Sequence, residues 1–158
     1  MTDQNDSAAW SRRGVLAGLG AGVMLLAMPV RADDVSVAQA ITDTFGTTPR
    51  QDGKITLKLP PLAETGNTVP LTVTVDSPMS DTERVKRVVV FANRNPRPLI
   101  AIMTFGPRAA TAEFSTNMRL SGTQDVIAMA ELSDGSIWQA QVRVLVTVGA
   151  CDTLQLRY

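Results

Sequence analysis

Cys151 is the only cysteine among 158 residues and the one side chain here suited to covalent carriage. A thiolate attacks sulfur compounds and forms bonds to them that a second thiol or an enzyme can reverse. The residues before it prescribe how it is held. From Trp138 to Val148 the even positions are Trp, Ala, Val, Val, Val and Val, and those between are Gln, Gln, Arg, Leu and Thr. That alternation predicts a long strand with one buried face and one mostly wet face. Gly149 ends the pattern, because glycine opens backbone angles that other residues avoid. Three steps beyond Val148, the thiol can stand roughly 10 Å past the sheet at ~3.4 Å per residue. Spacing alone leaves three uses open: a carrier thiol on an exposed arm, an incidental tail thiol, or an intermolecular disulfide that locks a dimer.

The rest of the sequence narrows the chemistry by what it lacks. The chain has no histidine, so an imidazole base, a Ser-His-Asp triad and an imidazole metal site are all excluded. One cysteine builds neither a thiolate metal site nor a dithiol redox couple. The only adjacent acidic pair, Asp33-Asp34, reads as a solvated flank. Trp138 falls on the inward face of its strand and reads as core. No catalytic residue, no metal ligand set and no cofactor is therefore expected, and the chain does not read as an enzyme.

The N-terminus reads as an export signal over residues 1–32. Ser11-Arg12-Arg13-Gly14-Val15-Leu16 is a twin-arginine pattern, an apolar run of Gly, Ala, Val, Leu and Met continues to Val30, and Val30-Arg31-Ala32 offers small residues at processing spacing. The apolar run is short and glycine-rich for a membrane span, which needs ~20 residues. Gly18-Leu19-Gly20-Ala21-Gly22 looks like a phosphate loop only superficially, because it lies inside this signal. Residues 33–158 then hold 12 Lys/Arg and 13 Asp/Glu with no basic run, which argues against nucleic acid or an anionic membrane as partner. The expected location is the periplasm, with Tat as the expected route. Twin-arginine export moves folded passengers, so a signal-less partner carried across on this chain is a reason for that route.

Downstream, the pattern is all-β. Asp34 to Ile41 starts a short helix that ends at Gly46. Strands are then expected at 55–59, 71–75, 85–91, 99–105, 111–120, 125–132 and 138–148, separated by turn residues. Ser133-Asp134-Gly135-Ser136 reads as a two-residue hairpin in which both turn positions need positive φ. Loops 60–70 and 92–98 are proline-rich and read as fixed surface connections. About seven antiparallel strands at this spacing predict an immunoglobulin-like β-sandwich over residues 33–148, with residues 149–158 as a C-terminal arm. Leu145, apolar on the wet side of the last strand, is the one candidate interface residue.

These segments also carry a resemblance. Ile55-Thr56-Leu57-Lys58-Leu59-Pro60, Ala63 to Leu71, Asp76-Ser77-Pro78-Met79, Asn95 to Ala101, Thr104-Phe105-Gly106-Pro107, Thr123-Gln124, Ala128 to Trp138 and the V-x-V-T-V-G-x-C ending occur in order. In this the chain resembles the SoxY family, carrier proteins of bacterial thiosulfate oxidation. The resemblance implies an immunoglobulin-like sandwich paired with a SoxZ-like β-sandwich subunit, with a sulfur compound held covalently on the cysteine that matches Cys151. It further implies transient partners: a haem-containing loading enzyme, a hydrolase and a sulfane dehydrogenase. The family arm is Gly-Gly-Cys-Gly-Gly, whereas here Gly149 and Ala150 precede the cysteine and Asp152 and Thr153 follow it. Three glycines are replaced, which stiffens the backbone, and Asp152 sets a negative charge beside the thiol. Two other readings stay open: an interaction domain whose cysteine is idle or cross-linked, and an export or assembly factor for a redox enzyme.

Overall fold

A computed structural model describes residues 32–150, with side chains described from residue 37. The signal expected at the N-terminus and the arm beyond Ala150 lie outside the described residues. One helix is followed by nine strands: α1 (Ala32–Phe45), β1 (Arg50–Asp52), β2 (Ile55–Lys58), β3 (Leu62–Thr65), β4 (Val69–Val75), β5 (Val85–Ala92), β6 (Leu99–Thr104), β7 (Ala112–Met118), β8 (Gln124–Leu132) and β9 (Ile137–Val148). No helix among the described residues is long and apolar enough to cross a membrane.

The strands form two sheets. One runs β2-β4-β7; the other runs β1-β9-β8-β5-β6, with β3 also on β9. Strand alternation supplies the core between them. Val69, Leu71, Val73 and Val75 of β4 face Val88, Val90, Val126, Ala128 and Val144 of the larger sheet, all buried. Each such valine or leucine contributes on the order of 1.5–3 kcal/mol by leaving water. This is the expected immunoglobulin-like sandwich.

Two strands go beyond the sequence expectation, and both sit on the far edge of β9. β1 pairs with Ile137 to Gln139 and β3 with Leu145 to Val148, each in parallel. Strand β1 is three wholly exposed residues, and β3 buries only Ala63, so neither has the apolar alternation that marks a strand. Their pairing is decided by the length of β9, whose backbone groups would otherwise be unpaired along that edge. The proline-rich stretch 60–70 is therefore partly sheet rather than all loop.

Helix α1 makes a second, smaller core on the outer face of the larger sheet. Val37 and Ile41 pack with Val89, Phe91, Met129 and Ile137. Strand β5 thus has apolar neighbours on both faces, which is why its sequence reads as an unbroken apolar run. The helix ends as expected at Gly46, whose φ is 65° and whose N–H donates to the Thr42 carbonyl at 2.8 Å, a left-handed C-terminal cap. Arg87 ties helix to sheet: its Nη2 donates to the Thr44 carbonyl at 3.1 Å, its Nε to Glu131 at 2.7 Å, and its guanidinium lies 5.0 Å over the Phe45 ring.

The β8–β9 hairpin differs in turn type from the sequence expectation. Gly135 has φ 84°, but Asp134 is not at positive φ, and Met79 is the only such non-glycine among the described residues. The Gly135 N–H donates to the Leu132 carbonyl and the Leu132 N–H to Ser136, which makes a three-residue loop closed by a glycine bulge. In such a loop only the glycine takes the left-handed region, and the Asp134 carboxylate accepts the Ser136 N–H at 2.8 Å. Hydrogen bonding from the Ser136 side chain, and then from its N–H, holds the Asp134 carboxyl below the usual aspartate range.

Candidate functional site at the root of the arm

The last described residues are held by backbone hydrogen bonds. Gly66 N–H donates to Val148 O at 2.7 Å, Leu120 N–H to Gly66 O at 2.8 Å, and Ala150 N–H to Leu120 O at 2.9 Å. Three separate stretches therefore meet at one point beside the end of β9. Only glycine fits there: a Cβ on residue 66 would stand 2.0 Å from the Leu120 carbonyl oxygen and 2.9 Å from the Ala150 nitrogen. Gly66 belongs to the Ala63–Leu71 segment of the resemblance, but its role needs two partners, 54 and 84 residues further along the chain.

This geometry corrects where the arm begins. Gly149 and Ala150 were expected on a wet arm; both are buried, and Ala150 is only 6% exposed. The bond from Ala150 to Leu120 extends the folded body by two residues past the end of β9. Cys151, Asp152 and Thr153 lie outside the described residues.

A polar network holds the neighbouring loops. Gln124 is the one buried polar residue among those described, at 1% exposure. Its Oε1 accepts the Arg94 N–H at 2.8 Å and its Nε2 donates to Asn95 Oδ1 at 2.8 Å. Asn95 Nδ2 donates to the Arg119 carbonyl, Ser121 N–H to Asn95 Oδ1, and Ser121 Oγ to the Arg94 carbonyl. Among the described residues, no buried side-chain polar atom lacks a partner. The network locks loop 93–98 to loop 119–123. Alternation could not show it, because Gln124 opens β8 and looks like a turn residue; its place in the Thr123-Gln124 segment of the resemblance was the one signal.

Those two loops wall a groove of about 720 Å³ that Ala150 also lines. Its floor is apolar, with Leu99 and Ile100 from the start of β6 and Met118 from the end of β7. Arg97 and Arg119 stand at its sides. Arg119 donates to Asn67 at 3.1 Å, and neither arginine has a carboxylate partner among the described residues. The ion pairs lie elsewhere: Lys54 with Glu83, Lys86 and Arg87 with Glu131, and Arg143 with Asp125. No group of three or more His, Cys, Asp or Glu that could hold a metal occurs among the described residues.

Trp138 is half-buried against the main core, with the Lys54 ammonium 5.3 Å over its ring. Leu145 is exposed, at 50%, and sits in register beside Leu62, also exposed. A second apolar surface, which the sequence did not single out, is β6. It pairs only with β5 and ends the larger sheet, and it exposes Leu99, Ile102 and Met103.

Comparison with known proteins agrees with this architecture. The structure of the sulfur carrier protein SoxY from Chlorobium limicola f thiosulfatophilum superposes with a TM-score of 0.61 at 29% identity, covering 72% of this chain and 98% of that one. A superoxide reductase (neelaredoxin) from Ignicoccus hospitalis superposes with a TM-score of 0.54 at 14% identity, covering 60% of this chain and 80% of that one. A putative superoxide reductase from Thermotoga maritima gives 0.54 at 15%, covering 63% and 93%. The likeness to these two is one of fold alone. No curated protein sequence matches significantly. The sequence model of the family described as sulfur oxidation protein SoxY matches residues 41–151, a span that ends on the cysteine itself. The chain belongs to the SoxY family.

Proposed function

We propose that this protein is a carrier in sulfur oxidation. It holds a thiosulfate-derived group covalently on Cys151 and presents it to other enzymes, itself catalysing nothing. The observation that supports this best is the anchoring of Ala150 by Leu120. The next Cα lies about 3.8 Å away, so Cys151 follows directly on a fixed residue at the end of a rigid sheet. A carrier needs a fixed root from which its nucleophile is presented.

The chemistry is simple to balance. The thiolate and the sulfane sulfur of thiosulfate form a disulfide bond, and the two electrons released pass to a haem-containing loading enzyme. Water then cleaves the bond between sulfur and the sulfonate, sulfate leaves with two protons released, and a persulfide remains on Cys151. A hydrolase performs that step and a sulfane dehydrogenase oxidises the remaining sulfur. The carrier works in the periplasm after Tat export, as a heterodimer with a SoxZ-like β-sandwich. The free edge of β6, with its exposed apolar residues, suits such a partner, because uncovered apolar edges invite strand pairing.

Intact mass after incubation with thiosulfate and the loading enzyme tests the reading. A reducible adduct of thiosulfonate mass is expected on the native chain and none on Cys151→Ser. An unmodified thiol on the native chain would leave an interaction domain with an idle cysteine.

A further inference from the structure

Leu120 holds Ala150, the residue before Cys151, and uses both of its backbone groups at that point. Its N–H donates to Gly66 O at 2.8 Å and its carbonyl accepts the Ala150 N–H at 2.9 Å. Those two groups belong to different peptide units. The N–H is part of the unit joining Arg119 to Leu120, and the carbonyl is part of the unit joining Leu120 to Ser121. In a planar trans peptide the C=O and the N–H point in opposite directions. The far ends of the same two units are the Arg119 carbonyl and the Ser121 N–H, and each needs a partner of its own.

One side chain takes both. Asn95 Nδ2 donates to the Arg119 carbonyl at 2.8 Å, and Asn95 Oδ1 accepts the Ser121 N–H at 2.9 Å. Its amide thus lies beside Leu120 as a neighbouring strand would, with Gly66 and Ala150 on the other side. The amide is itself held in place. Gln124 Nε2 donates to the same Oδ1 at 2.8 Å, and Gln124 is buried with its own Oε1 on the Arg94 N–H. This position needs an amide, since its oxygen accepts two bonds while its nitrogen donates a third. A further tie is independent of it. Thr123 Oγ1 accepts the Val146 N–H at 3.0 Å, which holds loop 119–123 to β9 without touching either peptide unit of Leu120.

We infer that Asn95 is the positioning residue of this carrier. By fixing the planes of both peptide units at Leu120, it aims the Leu120 carbonyl at Ala150 and so sets the point from which Cys151 is presented. It takes no part in the sulfur chemistry. The clamp deepens the carrier reading and rests on it only for its purpose.

Residue-resolved hydrogen exchange on the chain without its signal tests this, together with steady-state loading by the haem-containing enzyme and thiosulfate. Asn95→Ala removes both bonds, so the Leu120 and Ala150 amides should each exchange about tenfold faster relative to the strand amides, the size of one hydrogen bond. Asn95→Asp keeps the shape and the acceptor but loses the donor. Its Leu120 amide should quicken while its Ala150 amide changes by less than about threefold. In Asn95→Ala the KM for the carrier should rise about three- to tenfold, with kcat within about twofold. A looser root lowers the share of productive encounters and leaves the reactivity of a bound thiol alone. Asn93→Ala is the control. Asn93 Oδ1 accepts the Asp125 N–H but touches neither peptide unit, so this variant should lower the melting temperature without moving either readout. Unchanged exchange at Ala150 in Asn95→Ala, a rise spread evenly over all strands, or a steady KM on a loosened root would overturn the inference. So would an equal effect of Asn93→Ala. A native chain that is never loaded, with the local exchange effect present, would uphold the clamp and remove only the carrier reading.

Discussion

At the scale of single residues, the site depends on one position where a side chain is forbidden. Gly66 is not at positive φ; glycine is required because backbone from two other stretches fills the space a Cβ would take. Gly66→Ala must push Leu120 and Ala150 away, and overpacking of this kind costs about 1–3 kcal/mol. We expect a matching drop in denaturant midpoint, with loss of exchange protection concentrated at the Leu120 and Ala150 amides. A uniform loss across all strands would show that the effect is global, not a release of the arm's root. Sequence placed Gly66 inside a characteristic segment but gave no reason for it, since its partners are far away along the chain. Cys151 stands out by type, count and position in the sequence, and it lies outside the described residues.

At the scale of elements, the packing of α1 on the larger sheet turns on an ion pair at the foot of the helix. Partial burial pushes the Glu131 carboxyl up, but the hydrogen bond and charge of Arg87, with Lys86 beside it, outweigh this and leave it below the usual range. A carboxylate lowered in the folded state adds stability at neutral pH, and that stability is lost as pH falls through the lowered value. Glu131→Gln should therefore cost about 1 kcal/mol at pH 7, with the difference closing towards pH 3. Urea titrations at both pH values check this, and an equal difference at both would assign the effect to shape rather than charge. The strands β2 and β4 to β9 were readable because each has alternation or an apolar run. β1 and β3 were not, because they are strands only by pairing with β9.

For the molecule as a whole, the sandwich leaves β6 as an apolar edge that pairs only with β5 among the described residues. Ile102 is 52% exposed on β6. If the SoxZ-like subunit covers that edge, Ile102→Glu should weaken the heterodimer at least tenfold in a binding titration while the melting temperature of the isolated chain stays within about 2 °C, as exposed substitutions usually do. Unchanged affinity would move the interface elsewhere, with the Leu62–Leu145 pair as the next surface to probe. Export belongs to this scale too. Removing residues 1–32 should strand both this chain and a signal-less partner in the cytoplasm, as periplasmic fractionation would show; a partner still exported would rule out co-transport.

The amino-acid sequence by itself determined the all-β class, the positions of β2 and β4 to β9, the helix with its glycine cap and the family, because side-chain alternation and turn chemistry are local properties. It also determined that the chain holds a single thiol, Cys151. Only the tertiary structure decided that Gly149 and Ala150 belong to the folded body, which glycine lets Ala150 be anchored, and that two arginines without carboxylate partners among the described residues line a partly apolar groove beside it. Those features arise where Gly66, loop 93–98, loop 119–123 and Ala150 converge. No pattern along the chain records such a meeting, because the hydrogen bonds that make it join residues far apart in sequence.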